Sequence, residues 1–147
     1  MRAENLHLTL AFLGRFERER LDELAAAARN VQVQRFIVVF DEPGYWKHNR
    51  IFWLGASSVP GELSSMVADL RAALGERGYR FDPKPFVPHI TLLRNARPPK
   101  TIPALPAVSW EANGFALISS EHGDEGPRYR VAAQFSASDA RSAGPDP

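Results

Sequence analysis

The chain is organised around the stretch Phe86-Val87-Pro88-His89-Ile90-Thr91-Leu92-Leu93-Arg94, which repeats a pattern found near its beginning. The earlier copy reads Asn5-Leu6-His7-Leu8-Thr9-Leu10-Ala11-Phe12, and each copy contains the order His, apolar, Thr, apolar. Two of the chain's three threonines therefore stand two places after a histidine. Both copies alternate as half-buried strands do, and residues two apart in a strand point to the same side. The histidine and threonine of each copy are predicted to share a face.

Length and composition predict one domain over residues 1–135, followed by a disordered tail over residues 136–147. A chain of 147 residues is long enough to bury close to 70% of the surface that its unfolded form exposes. The tail is dominated by Ser, Ala, Asp, Gly and Pro, which bury little apolar surface. The absence of cysteine excludes disulfides, thiolate nucleophiles and cysteine-based metal sites.

The charge balance argues against a broad nucleic-acid-binding surface. The chain carries 18 basic and 17 acidic residues, a formal net charge of +1, whereas such surfaces typically belong to strongly basic domains. A small anionic ligand or one end of an RNA remains compatible with this balance. No stretch approaches the ~20 apolar residues of a membrane span, and the first residues lack the order of a signal peptide. We therefore predict a cytoplasmic protein without membrane contact, with a monomer as the favoured state.

Apolar periodicity predicts an α+β chain. The predicted elements are a strand at residues 5–13, a helix from 17 to 31, strands within 31–41 and at 50–55, a helix at 61–77, a strand at 86–93, and two last strands at 112–120 and 129–135. The second and third strands are expected to form a hairpin whose loop carries residues 45–48.

The second helix has the clearest pattern. Its apolar positions recur at helical spacing and predict a buried stripe of Leu63, Met66, Val67, Leu70 and Leu74. Ser57 or Ser58 could cap its start, and Gly78 is a natural stop because glycine readily adopts the left-handed conformation that ends helices.

Two facing His-x-Thr strands have the groups needed for phosphoryl chemistry. Histidine titrates near neutral pH, so one imidazole can act as general base while the other acts as general acid. A threonine hydroxyl can donate a hydrogen bond to an anionic oxygen. The pattern therefore predicts in-line displacement at phosphorus, with neither a metal nor another cofactor.

Two other interpretations compete with catalysis. A single histidine on a strand is more often a structural residue than a catalyst, although its duplication here favours function. A metal site typically needs three or four ligands, and no further histidine, cysteine or carboxylate lies at ligand spacing beside either motif.

With both motifs in view, the chain resembles the 2H phosphoesterase superfamily, and within it the RNA 2′,3′-cyclic phosphodiesterase branch, also called 2′-5′ RNA ligase. The resemblance rests on residues 4–14, on Arg50-Ile51-Phe52-Trp53-Leu54-Gly55, and on residues 86–94. It implies a bilobal α+β fold with two pseudo-symmetric antiparallel sheets, helices outside and a central cleft. It also implies metal-independent opening of RNA 2′,3′-cyclic phosphate ends to 2′-phosphomonoesters, and in some members a reversible 2′-5′ ligation of RNA.

The resemblance assigns roles to individual residues. The catalytic histidines match His7 and His89, and the phosphate-binding hydroxyls match Thr9 and Thr91. An arginine that often follows the second motif matches Arg94, but strict alternation turns this side chain away from the histidine unless the strand first ends or bends.

The segment between the second and third strands carries two further candidates. Trp46 and His48 occupy the loop where similar proteins place base-contacting side chains, and an aromatic ring there could stack on a base. Packing against the protein surface is an equally good interpretation of both residues.

One departure from the family concerns the start of the chain. Members of the family usually place a strand and a helix before the first motif, and here both are expected to be missing. Either the sequence starts late, or an open sheet edge is left that another chain could fill. Two alternative functions stay open: a phosphodiesterase of small cyclic nucleotides, and a non-catalytic RNA- or nucleotide-binding domain.

Overall fold

The computed structural model describes residues 1–124 and 126–137, and it shows an antiparallel α+β fold. The α-helices are α1 (Leu21–Arg29) and α2 (Gly61–Glu76). The strands are β1 (Phe36–Phe40), β2 (Glu42–Trp46), β3 (Ile51–Gly55), β4 (His89–Leu93), β5 (Val108–Ala112), β6 (Gly114–Gly123) and β7 (Gly126–Ser136). Short 3-10 helices cover Ala3–Asn5 and Arg18–Arg20.

The strands form three antiparallel sheets among the described residues. β1 pairs with β5, β3 lies between β2 and β4, and β6 pairs with β7. The predicted hairpin between the strands at 31–41 and 50–55 is therefore wrong, because the chain changes ladder at Asp41 and residues 42–46 form a strand of their own. Pro43 is tolerated there because β2 is an edge strand, where a missing N–H costs least.

The first motif is not a strand, although a strand over residues 5–13 was predicted. Its pairing with a strand consists of a single bridge between Leu8 and Ile90. Because one bridge does not hold the segment in an extended ladder, its side chains need not alternate between two faces. Strand alternation would place Phe12 on the same side as Leu8 and Leu10, but Phe12 is 69% exposed and Leu13 packs against the core instead. A strand depends on partners distant in sequence, which a local pattern does not reveal.

Helix α2 confirms the predicted stripe. All five predicted side chains, Leu63, Met66, Val67, Leu70 and Leu74, are buried. Gly78 has a φ of 77° and its N–H donates to the Gly75 carbonyl, while Tyr79 N–H donates to Leu74. This arrangement ends the helix as predicted.

The start of α2 differs from the prediction of a serine cap. Pro60 occupies the cap position and makes no side-chain hydrogen bond. Ser57 instead donates its N–H and its hydroxyl to the carboxylate of Asp41, at 2.9 and 2.6 Å. These two hydrogen bonds hold the pKa of Asp41 below its usual value, and they fix the chain on both sides of β2 and β3.

The core lies between the helices and the β1–β5 ladder. Along β1, Phe36, Val38 and Phe40 are buried, whereas Ile37 and Val39 point outward. The inward side chains of β1 join the buried stripe of α2 in one apolar cluster. Leu8, Ile90 and Leu92 of the two motif segments pack against this cluster. The histidines and threonines that alternate with them therefore lie away from the core.

Residues 136 and 137, at the start of the predicted tail, belong to the described structure. β7 runs to Ser136, and Ala137 N–H donates to the Asn113 carbonyl at 2.7 Å, so structure extends two residues into the segment predicted as a tail. Residues 138–147 of that predicted tail lie outside the described residues. In the part of the chain that the structure describes, no helix is long and apolar enough to cross a membrane.

Candidate active site

A single antiparallel bridge brings the two His-x-Thr segments together. It pairs Leu8 with Ile90. In antiparallel pairing the residues next to a bridge lie opposite each other, so each histidine falls beside the threonine of the other motif. His7 and His89 become diagonal neighbours, on the order of 7–8 Å apart at their Cα atoms. The four residues predicted from the two motifs therefore share one face.

Each histidine is held in the same way by its own chain. The Nδ1 atom of His7 lies 2.7 Å from the carbonyl oxygen of Asn5, and that of His89 lies 2.9 Å from the carbonyl oxygen of Val87. A carbonyl oxygen only accepts hydrogen bonds, so Nδ1 must carry the proton and donate it. In the neutral imidazole the free lone pair then belongs to Nε2, which is the atom available for proton transfer.

An aromatic ring lies against each imidazole. The Tyr129 ring centroid is 5.1 Å from that of His7, and the Trp46 ring meets His89 edge-on at 4.7 Å. The sequence predicted Tyr129 only as a residue of the last strand. No local signal could reveal its contact with His7, because the two residues lie near opposite ends of the chain. Both histidines are thus fixed by a carbonyl on one side and a ring on the other.

A β-bulge in β4 changes the direction of Arg94. Trp53 pairs with Thr91, but the preceding residue of β3, Phe52, pairs with Leu93, so β4 contains one extra residue. The extra residue interrupts the alternation of β4, and Arg94 lines the same cavity as His7 and Thr9. This meets the condition stated from the sequence, because β4 bulges and then ends before Arg94.

Arg94 and the first motif line one cavity of about 690 Å³. Its lining includes His7, Thr9 and Tyr129, together with the apolar side chains of Phe36, Met66 and Leu70. The second-motif residues do not line it. The cavity therefore lies beside His7, whereas His89 is in contact with the Trp46 ring.

Trp46 lies in β2 rather than in the predicted loop, and His48 follows in the turn. The Trp46 ring is 4.7 Å from that of His89, 5.2 Å from that of Trp53 and 6.3 Å from that of His48. His48 is exposed. The structure thus places both predicted base-contact candidates at the margin of the second motif, with Trp46 the nearer.

The Trp46 ring lies against that of Trp53, which in turn covers two glycines. A Cβ atom on Gly44 would come within 2.1 Å of the Trp53 ring, and one on Gly55 within 2.8 Å. Gly44 faces Trp53 directly across the β2–β3 ladder. Only glycine leaves room for the indole at these two positions.

Replacing Gly44 with alanine should lower the free energy of unfolding by about 1–3 kcal/mol, because overpacking forces the Trp53 ring to move. Urea unfolding measures this change. Gly75→Ala is the matched control, since a Cβ there meets nothing within 4 Å and alanine favours the helix by up to ~1 kcal/mol. A Gly44→Ala protein as stable as wild type would contradict the close packing of Trp53.

Sequence comparison identifies the family. The profile of the 2'-5' RNA ligase superfamily matches residues 1–124, which include both His-x-Thr motifs and the strands around them. The chain belongs to the 2'-5' RNA ligase superfamily. The resemblance to 2H phosphoesterases inferred from the paired motifs is thereby confirmed.

Relatives in this superfamily match most of the chain. An RNA 2',3'-cyclic phosphodiesterase of Escherichia coli (strain K12) is 36% identical over 129 residues, which cover 86% of this chain and 73% of the relative. One of Thermus thermophilus is 37% identical over 141 residues, covering 89% of this chain and 71% of the relative. These named members confirm the prediction of an enzyme of the RNA 2′,3′-cyclic phosphodiesterase family.

A solved structure of the superfamily matches the fold. LigT of Escherichia coli, crystallised with 3'-AMP, superposes with a TM-score of 0.85 at 33% identity, covering 93% of this chain and 79% of that chain. The predicted 2H phosphoesterase fold is confirmed. Across residues 1–124 and 126–137 of the present chain, no three His, Cys, Asp or Glu side chains are grouped so that they could hold a metal ion.

Proposed function

We propose that this chain hydrolyses 2′,3′-cyclic phosphate ends of RNA to 2′-phosphomonoesters, with His7 and His89 as a general acid and base pair. The observation that carries the proposal is the matched anchoring of the two imidazoles. Each Nδ1 atom is used by a backbone carbonyl, so each Nε2 atom is left to exchange a proton with substrate. The RNA 2',3'-cyclic phosphodiesterases to which the chain is similar support the substrate class.

In the proposed reaction a water molecule attacks phosphorus in line with the 3′-oxygen. One neutral Nε2 takes a proton from the water as the new P–O bond forms. The bond between phosphorus and the 3′-oxygen breaks, and the protonated Nε2 of the other histidine gives its proton to that oxygen. The products are a 2′-phosphomonoester and a free 3′-hydroxyl, and the two histidines end with their protonation states exchanged.

The remaining predicted residues would bind the phosphate. Thr9 and Thr91 each present a hydroxyl beside the opposite histidine, and a hydroxyl can donate to a nonbridging oxygen. The Arg94 guanidinium adds a fixed positive charge on the same face, where negative charge accumulates in the transition state. A 5′-hydroxyl in place of water would give the reversible 2′-5′ ligation. Cytoplasmic location and a monomeric state stay predictions.

An oligonucleotide with a 2′,3′-cyclic phosphate end tests the proposal. Incubation in EDTA should convert it fully to the 2′-phosphate, because both proton transfers are supplied by imidazoles rather than by a metal. Phosphorus NMR distinguishes the 2′-phosphate from the 3′-phosphate. A 3′-phosphate product would contradict the proposed leaving group, and binding without turnover would favour the non-catalytic RNA-binding alternative.

A further inference from the structure

The segment that leads into the second motif is stiffened by prolines. It reads Asp82-Pro83-Lys84-Pro85-Phe86-Val87-Pro88 and is here called the proline segment. Proline fixes its own φ angle and also restricts the backbone of the residue before it. Phe86 is therefore the only residue of the segment that is restricted in neither way. A displacement at one point is transmitted along such a segment more directly than along an unrestricted chain.

The proline segment carries the carbonyl that orients the second histidine. The Val87 carbonyl accepts a hydrogen bond from Nδ1 of His89 at 2.9 Å. This bond keeps the proton of the neutral imidazole on Nδ1 and leaves the lone pair on Nε2. The position of the Val87 carbonyl therefore sets both the orientation and the tautomer of His89.

Arg71 of helix α2 holds the middle of the proline segment. Its Nη1 atom donates to the Lys84 carbonyl at 2.7 Å. The guanidinium carbon lies 5.7 Å from the centroid of the Phe81 ring, which packs against the core just before the segment begins. The Arg71 side chain therefore connects a helix of the core to the chain that leads into the second motif.

Little else fixes the proline segment in place. Within residues 1–124 and 126–137, no backbone-to-backbone hydrogen bond reaches residues 82–87. Besides His89 and the segment's own side chains, Arg71 is the only described side chain that makes a hydrogen bond to them. Phe86 packs against the core, but apolar contacts are non-directional. The Arg71 hydrogen bond is thus the contact that sets where the segment lies along the core.

The arginine holds this position at a cost. Its Nε atom is buried and has no hydrogen-bond partner among the described residues. A buried donor without a partner opposes folding, and such a group in a native structure calls for an explanation. The cost favours a role for the Arg71 hydrogen bond other than stability.

We propose that Arg71 is a positioning residue for His89, acting through the proline segment. Its hydrogen bond holds the Lys84 carbonyl, and the prolines transmit that position to the Val87 carbonyl. The Val87 carbonyl in turn keeps the proton of His89 on Nδ1. Arg71 itself does not touch the substrate. The inference rests on the proposed function, in which Nε2 of His89 exchanges a proton with the substrate.

Steady-state kinetics on an oligonucleotide with a 2′,3′-cyclic phosphate end test the inference. Arg71→Met removes every donor but keeps a long side chain against Phe81, and it should lower kcat about tenfold, since misplacing a reacting group can cost up to ~10²-fold. KM should not change, because the phosphate-binding groups are untouched. Arg71→Lys restores a donor and places a methylene where the arginine has its buried Nε, so it should recover most of kcat.

The matched control removes the same kind of hydrogen bond from the end of the same helix. Arg77 donates from Nη1 to the Glu23 carbonyl of α1 at 3.4 Å, and Arg77→Met should leave kcat unchanged. An equal loss in this control would show a general effect of weakening the contacts of α2. That result would overturn the inference, as would wild-type kcat in Arg71→Met or no recovery in Arg71→Lys. Urea midpoints of all three variants should stay near that of wild type, and a fall of kcat that only follows a fall in stability would also overturn it.

Imidazole NMR separates the inference from the proposed function. With isotope-labelled histidine nitrogens, the neutral His89 ring should carry its proton on Nδ1 in wild type, and Arg71→Met should move a measurable share of it to Nε2. The His7 ring, held by the Asn5 carbonyl, should not change. If wild type turned over no substrate, the proposed function would fail while this shift of tautomer still supported the positioning role. An unchanged His89 tautomer in Arg71→Met would overturn the positioning role.

Discussion

Replacing His89 with alanine should lower kcat on a cyclic-phosphate oligonucleotide by about 10²–10⁴-fold, the usual contribution of a positioned acid or base. His7→Ala should cause a loss of the same order, because the two imidazoles are anchored alike and neither can replace the other. The double variant should lose less than the product of the two, since the pair acts as a unit. Single-turnover rates measure these changes.

Two controls accompany the histidine variants. His122→Ala removes an exposed histidine from β6 and should leave the rate unchanged. Urea midpoints of all variants show whether the fold persists. A strong loss for one motif histidine and none for the other would rule out the two-imidazole mechanism, because hydrolysis would then need only one of them.

Phe40→Ala should lower the free energy of unfolding by about 3–5 kcal/mol, the range for deleting a buried aromatic side chain. Phe40 is fully buried at the end of β1, in the same cluster as the α2 stripe. A loss of this size is a large fraction of the ~5–15 kcal/mol by which domains are stable. The midpoint of urea unfolding measures it.

The matched control for Phe40 lies on the other face of the same strand. Ile37 is 58% exposed, so Ile37→Ala should change stability much less than Phe40→Ala. Similar losses at both positions would mean that the outer face of β1 is covered, which would contradict the inside and outside assignment of this strand.

Local patterns predicted some elements well because their causes are local. The apolar stripe of α2 follows from the 3.6-residue period of the helix, and Gly78 ends that helix through its own backbone conformation. The pairing of β1 with β5, by contrast, joins Phe36 to Ala112. Periodicity shows that a strand has an inner face but does not show which distant strand it meets.

In the candidate site, too, the residues marked by a local pattern could be named from the sequence, whereas those placed by distant contacts could not. His7, Thr9, His89 and Thr91 could be named from the sequence because the repeated motif itself marks them. The facing of Arg94 depends on a bulge against β3, and the contact of Tyr129 depends on how the chain ends meet. Trp46 was named as a candidate from the sequence, but the strand β2 that carries it was not predicted, because Pro43 and Gly44 are typical of turns.

The bridge between Leu8 and Ile90 has a consequence for the direction of the reaction. Rotation by half a turn about its midpoint exchanges the two motifs, so the backbone alone does not distinguish the oxygen that enters from the oxygen that leaves. In the proposed reaction the histidine that takes a proton during hydrolysis must return one when the reaction runs backward. In that reaction, hydrolysis and ring closure use the same two side chains with their tasks reversed.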